Sequence, residues 1–224
     1  MFKSCLAAAF AVMFSAQAAA ITVSIDEFST SQALVVDTIA PGASVSNIQA
    51  PGNGEIWNTR IYSVTAIGAG LFPGDPAAIV SGGRFGINND SEENSQVDLT
   101  WGLNAVNSLI GATNGMLVLN FVNNNPANLV PTTVRLAFGT ESISATLPAI
   151  RSAANIFTIA LTNAQLAAFS AGTFLTLSFN GGDGYDVVLD SVNITADVPL
   201  PSAVLLLGSG LLGLGLTRKA RATK

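Results

Sequence analysis

Three carboxylates crowd one short stretch, "DGYDVVLD", as Asp183, Asp186 and Asp190. On an extended strand Asp186 and Asp190 project from the same side, with Val188 between them. A hard cation such as calcium takes about six to eight oxygens at roughly 2.3–2.6 Å. Asp183, the carbonyls of "NGGDG" and Asn180 could complete such a set beside the other two aspartates. A second acidic group, Asp90, Glu92 and Glu93 in "NNDSEEN", offers the same chemistry. Neither has the spacing of an EF-hand loop. The competing reading is that these are solvated turn acids, favoured in turns for their local hydrogen bonds.

Glycan recognition is the other chemistry within reach. It typically uses exposed aromatic rings beside Asp, Asn and Arg. The rings with polar edges are Trp57, Tyr62, Trp101 and Tyr185. Trp101 alternates with Val97 and Leu99 in "QVDLTWG" and is expected in the core. Trp57 follows the turn-like "GNGE" and precedes Asn58 and Arg60, so Trp57 and Arg60 are the expected glycan contacts. Arg60 and Arg84 suit hydroxyl or acidic groups, or the plentiful carboxylates of the chain itself.

Catalysis is poorly served. The chain has no histidine, so Ser-His-Asp and Cys-His machinery is excluded. Its single cysteine, Cys5, precedes an apolar run near the start, which excludes disulfides and Cys/His zinc sites from the body. A glycosidase needs two carboxylates about 5–10 Å apart. Here the acids fall in turn-like segments, and no lysine lies between Ile21 and Asp197. "SGGRFG" lacks the lysine of a phosphate loop. The expectation is a protein that is not an enzyme.

The elements that would hold these residues are short and alternating. "TVRLAFG", "SISATL" and "TFLTLSF" each place apolar residues at every second position, the period of a half-buried strand. "ITVSIDEF", "ALVVDTI", "RIYSVTAI", "MLVLNFV", "NIFTIAL" and "YDVVLDSVNIT" add more strands. Turn clusters such as "APGNGE", "FPGDP", "VNNNPAN" and "NGGDG" separate them. Many short strands at regular spacing predict an all-β, single β-sandwich of jelly-roll type over residues 21–197. One helix is expected in "TNAQLAAFSAG", capped by Thr162 or Asn163 and stopped by Gly172.

The ends read differently from the body. Residues 1–20 have the build of a secretory signal peptide: Lys3, the apolar "LAAAFAVMFSA", then small residues, with cleavage expected after Ala18 or Ala20. Sec export and signal peptidase are the implied partners. Between Ile21 and Asp197 four arginines face all fourteen acidic residues, a formal net charge of −10. Such a body repels nucleic acid, whose binding relies on lysine and arginine. At the other end, residues 198–224 run from "VPLPS" through a glycine-dotted apolar stretch to Arg218, Lys219, Arg221 and Lys224. Ser202 to Leu216 as a helix would rise about 22 Å, short of the roughly 30 Å hydrocarbon core. With Pro199 and Pro201 before it and positive charge after it, the stretch is expected to be a transmembrane helix with its tail cytoplasmic.

Val198, Pro199, Leu200, Pro201 and Ser202, the apolar stretch and the basic end together resemble the PEP-CTERM sorting signal, in its VPLPA-CTERM variant. Leu200 stands where the PEP form has glutamate, and Ser202 where the VPLPA form has alanine. The resemblance implies a Gram-negative envelope protein processed at this element by an exosortase-type membrane transpeptidase. It implies passage through the inner membrane to the cell surface or extracellular matrix, in association with exopolysaccharide. "NGGDGYDVVLDSVNIT" is likewise similar to the closing strand of jelly-roll domains that carry such tails. The expected role is a secreted, non-enzymatic envelope protein; the alternative is a carbohydrate-binding module, with calcium as a possible cofactor.

Overall fold

The computed structural model describes residues 18–37, 44–49, 56–67, 75–89, 94–125, 131–139, 141–147 and 155–199. Thirteen strands lie among them: β1 (Ala18–Asp26), β2 (Gln32–Val36), β3 (Ser44–Gln49), β4 (Trp57–Ala66), β5 (Ala77–Ser81), β6 (Arg84–Asn88), β7 (Ser95–Leu103), β8 (Thr113–Asn125), β9 (Thr133–Phe138), β10 (Glu141–Thr146), β11 (Asn155–Leu161), β12 (Phe174–Asn180) and β13 (Asp186–Pro199). They form two antiparallel sheets. The seven-stranded sheet runs β11-β8-β13-β6-β5-β2, with β1 also paired to β13. The six-stranded sheet runs β10-β9-β12-β7-β4-β3. This is a β-sandwich.

Alternation supplies the core. β7 buries Val97, Leu99 and Trp101, β12 buries Leu175, Leu177 and Phe179, and β9 buries Val134, Leu136 and Phe138. The facing sheet contributes Leu117, Leu119 and Phe121 of β8 and Phe85 and Ile87 of β6. Aromatic rings bridge the layers: Phe179 lies 6.4 Å from Phe85 and 6.5 Å from Phe121, centroid to centroid. Such pairs add to what area burial alone provides.

β13 changes phase partway. Val187 and Leu189 point inward, and so do Val192, Ile194 and Ala196. An odd series therefore becomes an even one. The switch requires an extra residue, and the register against β8 slips between Leu189 and Ser191. That bulge leaves Asp190 outside. It lets one long strand serve β6 with its first half and β1 with its second.

The helix, α1 (Asn163–Ala171), starts as its residues dictate. Thr162 is the N-cap: its side chain accepts from the Gln165 N–H, and the Gln165 side chain accepts from the Thr162 N–H at 2.7 Å. This is a capping box. Gly172 ends it at φ 83°, where a Cβ would lie 3.0 Å from the backbone of Leu103 and Ala105.

The expectation of a C-terminal transmembrane helix is corrected. Among the described residues no helix is long and apolar enough to cross a membrane. Val198 and Pro199 instead finish β13, opposite Ala19 and Ala18 of β1. The localisation that rested on a C-terminal transmembrane helix loses that support. Leu200, Pro201, Ser202 and the rest of 200–224 lie outside the described residues, as do residues 1–17.

Candidate functional site

Trp57 and Arg60, expected at the surface, are fully buried. Arg60 sits on β4 with its guanidinium 4.8 Å above the Trp57 ring and 5.7 Å from the Phe28 ring. Its Nη1 donates to both carboxylate oxygens of Asp26, at 3.0 and 2.8 Å, and its Nε donates to Gln32 Oε1 at 2.9 Å. Its Nη2 donates to the Thr30 carbonyl. Asp26 also accepts from Trp101 Nε1 and from the Phe28 N–H, both at 2.7 Å. Burial pushes the Asp26 carboxyl above its ordinary range, against the opposing pull of Arg60 and these donors. The cluster joins β1 and β2 of one sheet to β4 and β7 of the other. It is a structural clamp, and neither Trp57 nor Arg60 can face a glycan. The turn before Trp57 suggests exposure; Arg60 instead takes the other course open to it, pairing with a carboxylate of the chain, one 34 positions away.

Tyr62 and Tyr185 are also interior. Tyr62 donates to the Ala33 carbonyl, and burial pushes its hydroxyl up to about 12, with Arg60 pulling the other way. The Tyr185 hydroxyl lies 3.2 Å from the carbonyls of Ser95 and Phe179 and is raised further, again by burial. Trp101 is in the core, as its alternation requires.

The three aspartates do not converge. Asp183 lies exposed in the loop before β13. Asp186 accepts from the Asn89 N–H at 3.3 Å, and Asp190 faces Arg84 Nε at 3.5 Å. Among the described residues no group of three His, Cys, Asp or Glu side chains is placed to hold a metal ion. The expected calcium set of Asp183, Asp186 and Asp190 is therefore corrected: two of its members are turned to partners on β6 and the loop after it. Asp90, Glu92 and Glu93 lie outside the described residues.

What the fold does assemble is a groove on the outer face of the seven-stranded sheet. Its volume is about 480 Å³, and it crosses β2, β5, β6, β13 and β8. Five strands at about 4.8 Å spacing make a strip roughly 19 Å long. Register sets its floor. Ile79 is opposite Gly86, Gly86 opposite Val188, and Val188 opposite Asn123. Leu34, 55% exposed, extends the apolar line onto β2, and Ile79 is 37% exposed. Gly86 makes the floor dip: a Cβ there would meet only Ile79 Cγ2, at 3.7 Å, so the space above it is open. Asn88 and Asp186 line the groove with Asn123 and supply its polar groups. Arg84 and Asp190 form a half-exposed ion pair on the same sheet face.

Of the residues lining the groove only Asp186 was singled out from the sequence, although both members of the ion pair beside it, Arg84 and Asp190, were. The others had a signal. Alternation in "RFGIN" sends Arg84, Gly86 and Asn88 to one side and buries Phe85 and Ile87. Nothing local says that this side adjoins Val188 and Asn123.

No protein-family model matches the chain, and no curated protein matches it. Solved structures similar to it include TmCBM61 in complex with β-1,4-galactotriose, at 10% identity over 67% of this chain and 86% of that one, with a TM-score of 0.34. A family 11 carbohydrate-binding module from Clostridium thermocellum, in complex with a β-1,3-1,4-mixed-linked tetrasaccharide, is 10% identical over 80% of this chain and 96% of that one, with a TM-score of 0.34. A Stig cyclase from Fischerella sp. is 14% identical over 81% of this chain and 100% of that one, with a TM-score of 0.37. Likeness at this level assigns neither family nor activity.

Proposed function

We propose that this protein is a non-enzymatic glycan-binding β-sandwich whose ligand lies across the outer face of the seven-stranded sheet. The observation that carries the reading is the groove itself. An aliphatic floor of Leu34, Ile79 and Val188 suits the C–H face of a sugar ring, and Asn88, Asn123 and Asp186 suit its hydroxyls. A few placed polar groups on a mostly apolar concave surface is the common form of a small-molecule site. The length of the strip fits several linked rings rather than one.

Titration calorimetry or affinity electrophoresis against a polysaccharide panel tests it. Gly86→Leu fills the dip and is expected to abolish binding while leaving the melting temperature within a few degrees. Asn88→Ala and Asn123→Ala are each expected to weaken binding about fivefold, the worth of roughly one hydrogen bond. Binding that survives Gly86→Leu unchanged would remove the groove from consideration.

The tail supports a separate proposal from its residues alone: that a transpeptidase of exosortase type processes the chain at Val198–Ser202. Intact-mass spectrometry of chain recovered from its host decides it. A mass ending near that element supports processing, and a mass running to Lys224 overturns it.

A further inference from the structure

We infer that the groove selects an uncharged glycan and rejects an acidic one. The inference rests on the glycan reading above and deepens it. Its first ground is the chemistry of Asp186. An ionised carboxylate only accepts hydrogen bonds. Asp186 already accepts from the Asn89 N–H at 3.3 Å, and a sugar hydroxyl is a further donor that its other lone pairs can take. A uronate carboxylate has no proton to give and would set acceptor against acceptor and charge against charge.

The second ground is the placing of the cations. Arg84, on the same sheet face, is turned to Asp190 at 3.5 Å. Arg60 is in the core, bound to Asp26. Arg135 is on β9, in the opposite sheet. Among the described residues, then, no arginine lines the groove. The third ground is the field of the whole body. Residues 21–197 carry a formal net charge of −10. Such a field slows the approach of a polyanion and is neutral to an uncharged chain. Leu34, Ile79, Gly86 and Val188 offer no charge preference, so the polar groups decide.

The test uses the full chain in affinity electrophoresis and calorimetry at 50 and 500 mM NaCl. The probes are a mixed-linkage β-glucan and a β-galactan as neutral chains, and alginate and polygalacturonate as acidic ones. At least one neutral probe is expected to bind, with affinity changing less than twofold between the two salts, and to lose binding in Gly86→Leu. The acidic probes are expected to bind at least tenfold more weakly. Asp186→Asn keeps an acceptor for the Asn89 N–H and is expected to narrow that gap. Acidic probes that bind as well as the neutral ones, and lose binding in Gly86→Leu, would overturn the inference and leave the glycan reading standing. If no probe binds in a way that Gly86→Leu removes, the glycan reading falls and the inference with it.

Discussion

Arg60 keeps a charge in the middle of the sandwich because its surroundings replace water atom by atom. Asp26 takes one nitrogen in two hydrogen bonds, Gln32 and the Thr30 carbonyl take the other two nitrogens, and the Trp57 and Phe28 rings cover the faces. Removing one partner strands the other in a dry interior. Arg60→Ala is expected to cost about 3–5 kcal/mol by urea denaturation, and Arg60→Met with Asp26→Asn less than the sum of the single changes. Additive losses would mean the pair is not coupled. The two tyrosines offer a second readout at this scale. An unfolded tyrosine ionises near 10. Here burial raises both, Tyr62 to about 12 and Tyr185 further. The fold thus favours the neutral form. Its contribution is whole below about pH 10 and declines as pH rises from about 10 toward about 12, by about 1.4 kcal/mol per pH unit for each tyrosine. No tyrosinate absorbance is expected at pH 10–11 while circular dichroism still reports a native sheet. An ionisation step near pH 10 in the folded protein would contradict the burial of both rings.

β13 is the element on which most of the molecule depends. It pairs with β8 along its length, with β6 through Val187–Leu189, and with β1 from Val192 to Pro199. Its bulge keeps both halves facing the core although their sequence phases differ. Its last residues depend on β1 alone: Val198 and Pro199 lie opposite Ala19 and Ala18, and the β8 ladder ends at Asp197. A chain beginning at Ile21 lacks those partners. Hydrogen exchange at Val198 is expected to be protected in the full chain and fast in the shortened one, with Val192 and Ile194 protected in both. Equal protection at Val198 in the two chains would place its partner elsewhere.

At the scale of the whole molecule, the two sheets enclose one core and leave one face of the larger sheet with an open trough. Among the described residues no three His, Cys, Asp or Glu side chains gather there to hold a metal ion. Asp186 and Asp190 face Asn89 and Arg84, and Asp183 stands apart in its loop. Added calcium or chelator is accordingly expected to move the melting temperature by less than one degree and to leave glycan binding unchanged. A stabilisation of several degrees that saturates with calcium would require a site among these carboxylates after all, since a ligand stabilises the state that binds it.

Alternation is a local property, and so it was legible along the chain. It placed the strands at "QVDLTWG", "TVRLAFG" and "TFLTLSF" and predicted the burial of Trp101; capping chemistry narrowed the start of α1 to Thr162 or Asn163, and the fold uses Thr162. Alternation passed over β3, β5 and β6, whose "SVSNIQ", "AAIVS" and "RFGIN" are short, small-residued or broken by Gly86. The turn-like "GNGE" and the polar neighbours of Trp57 sent Trp57 and Arg60 to the surface, because a sequence does not show which carboxylate will meet an arginine from another strand. The groove was invisible for the same reason. Its residues come from five strands spread between Leu34 and Val188. The sequence by itself determined the fold class, the missing histidine chemistry and the acidic charge, since composition and period-two patterning survive any pairing of strands. Only the tertiary structure decided which outward faces adjoin and which charges meet. Register between distant strands is chosen by the packing of the whole core, and no single strand carries that information.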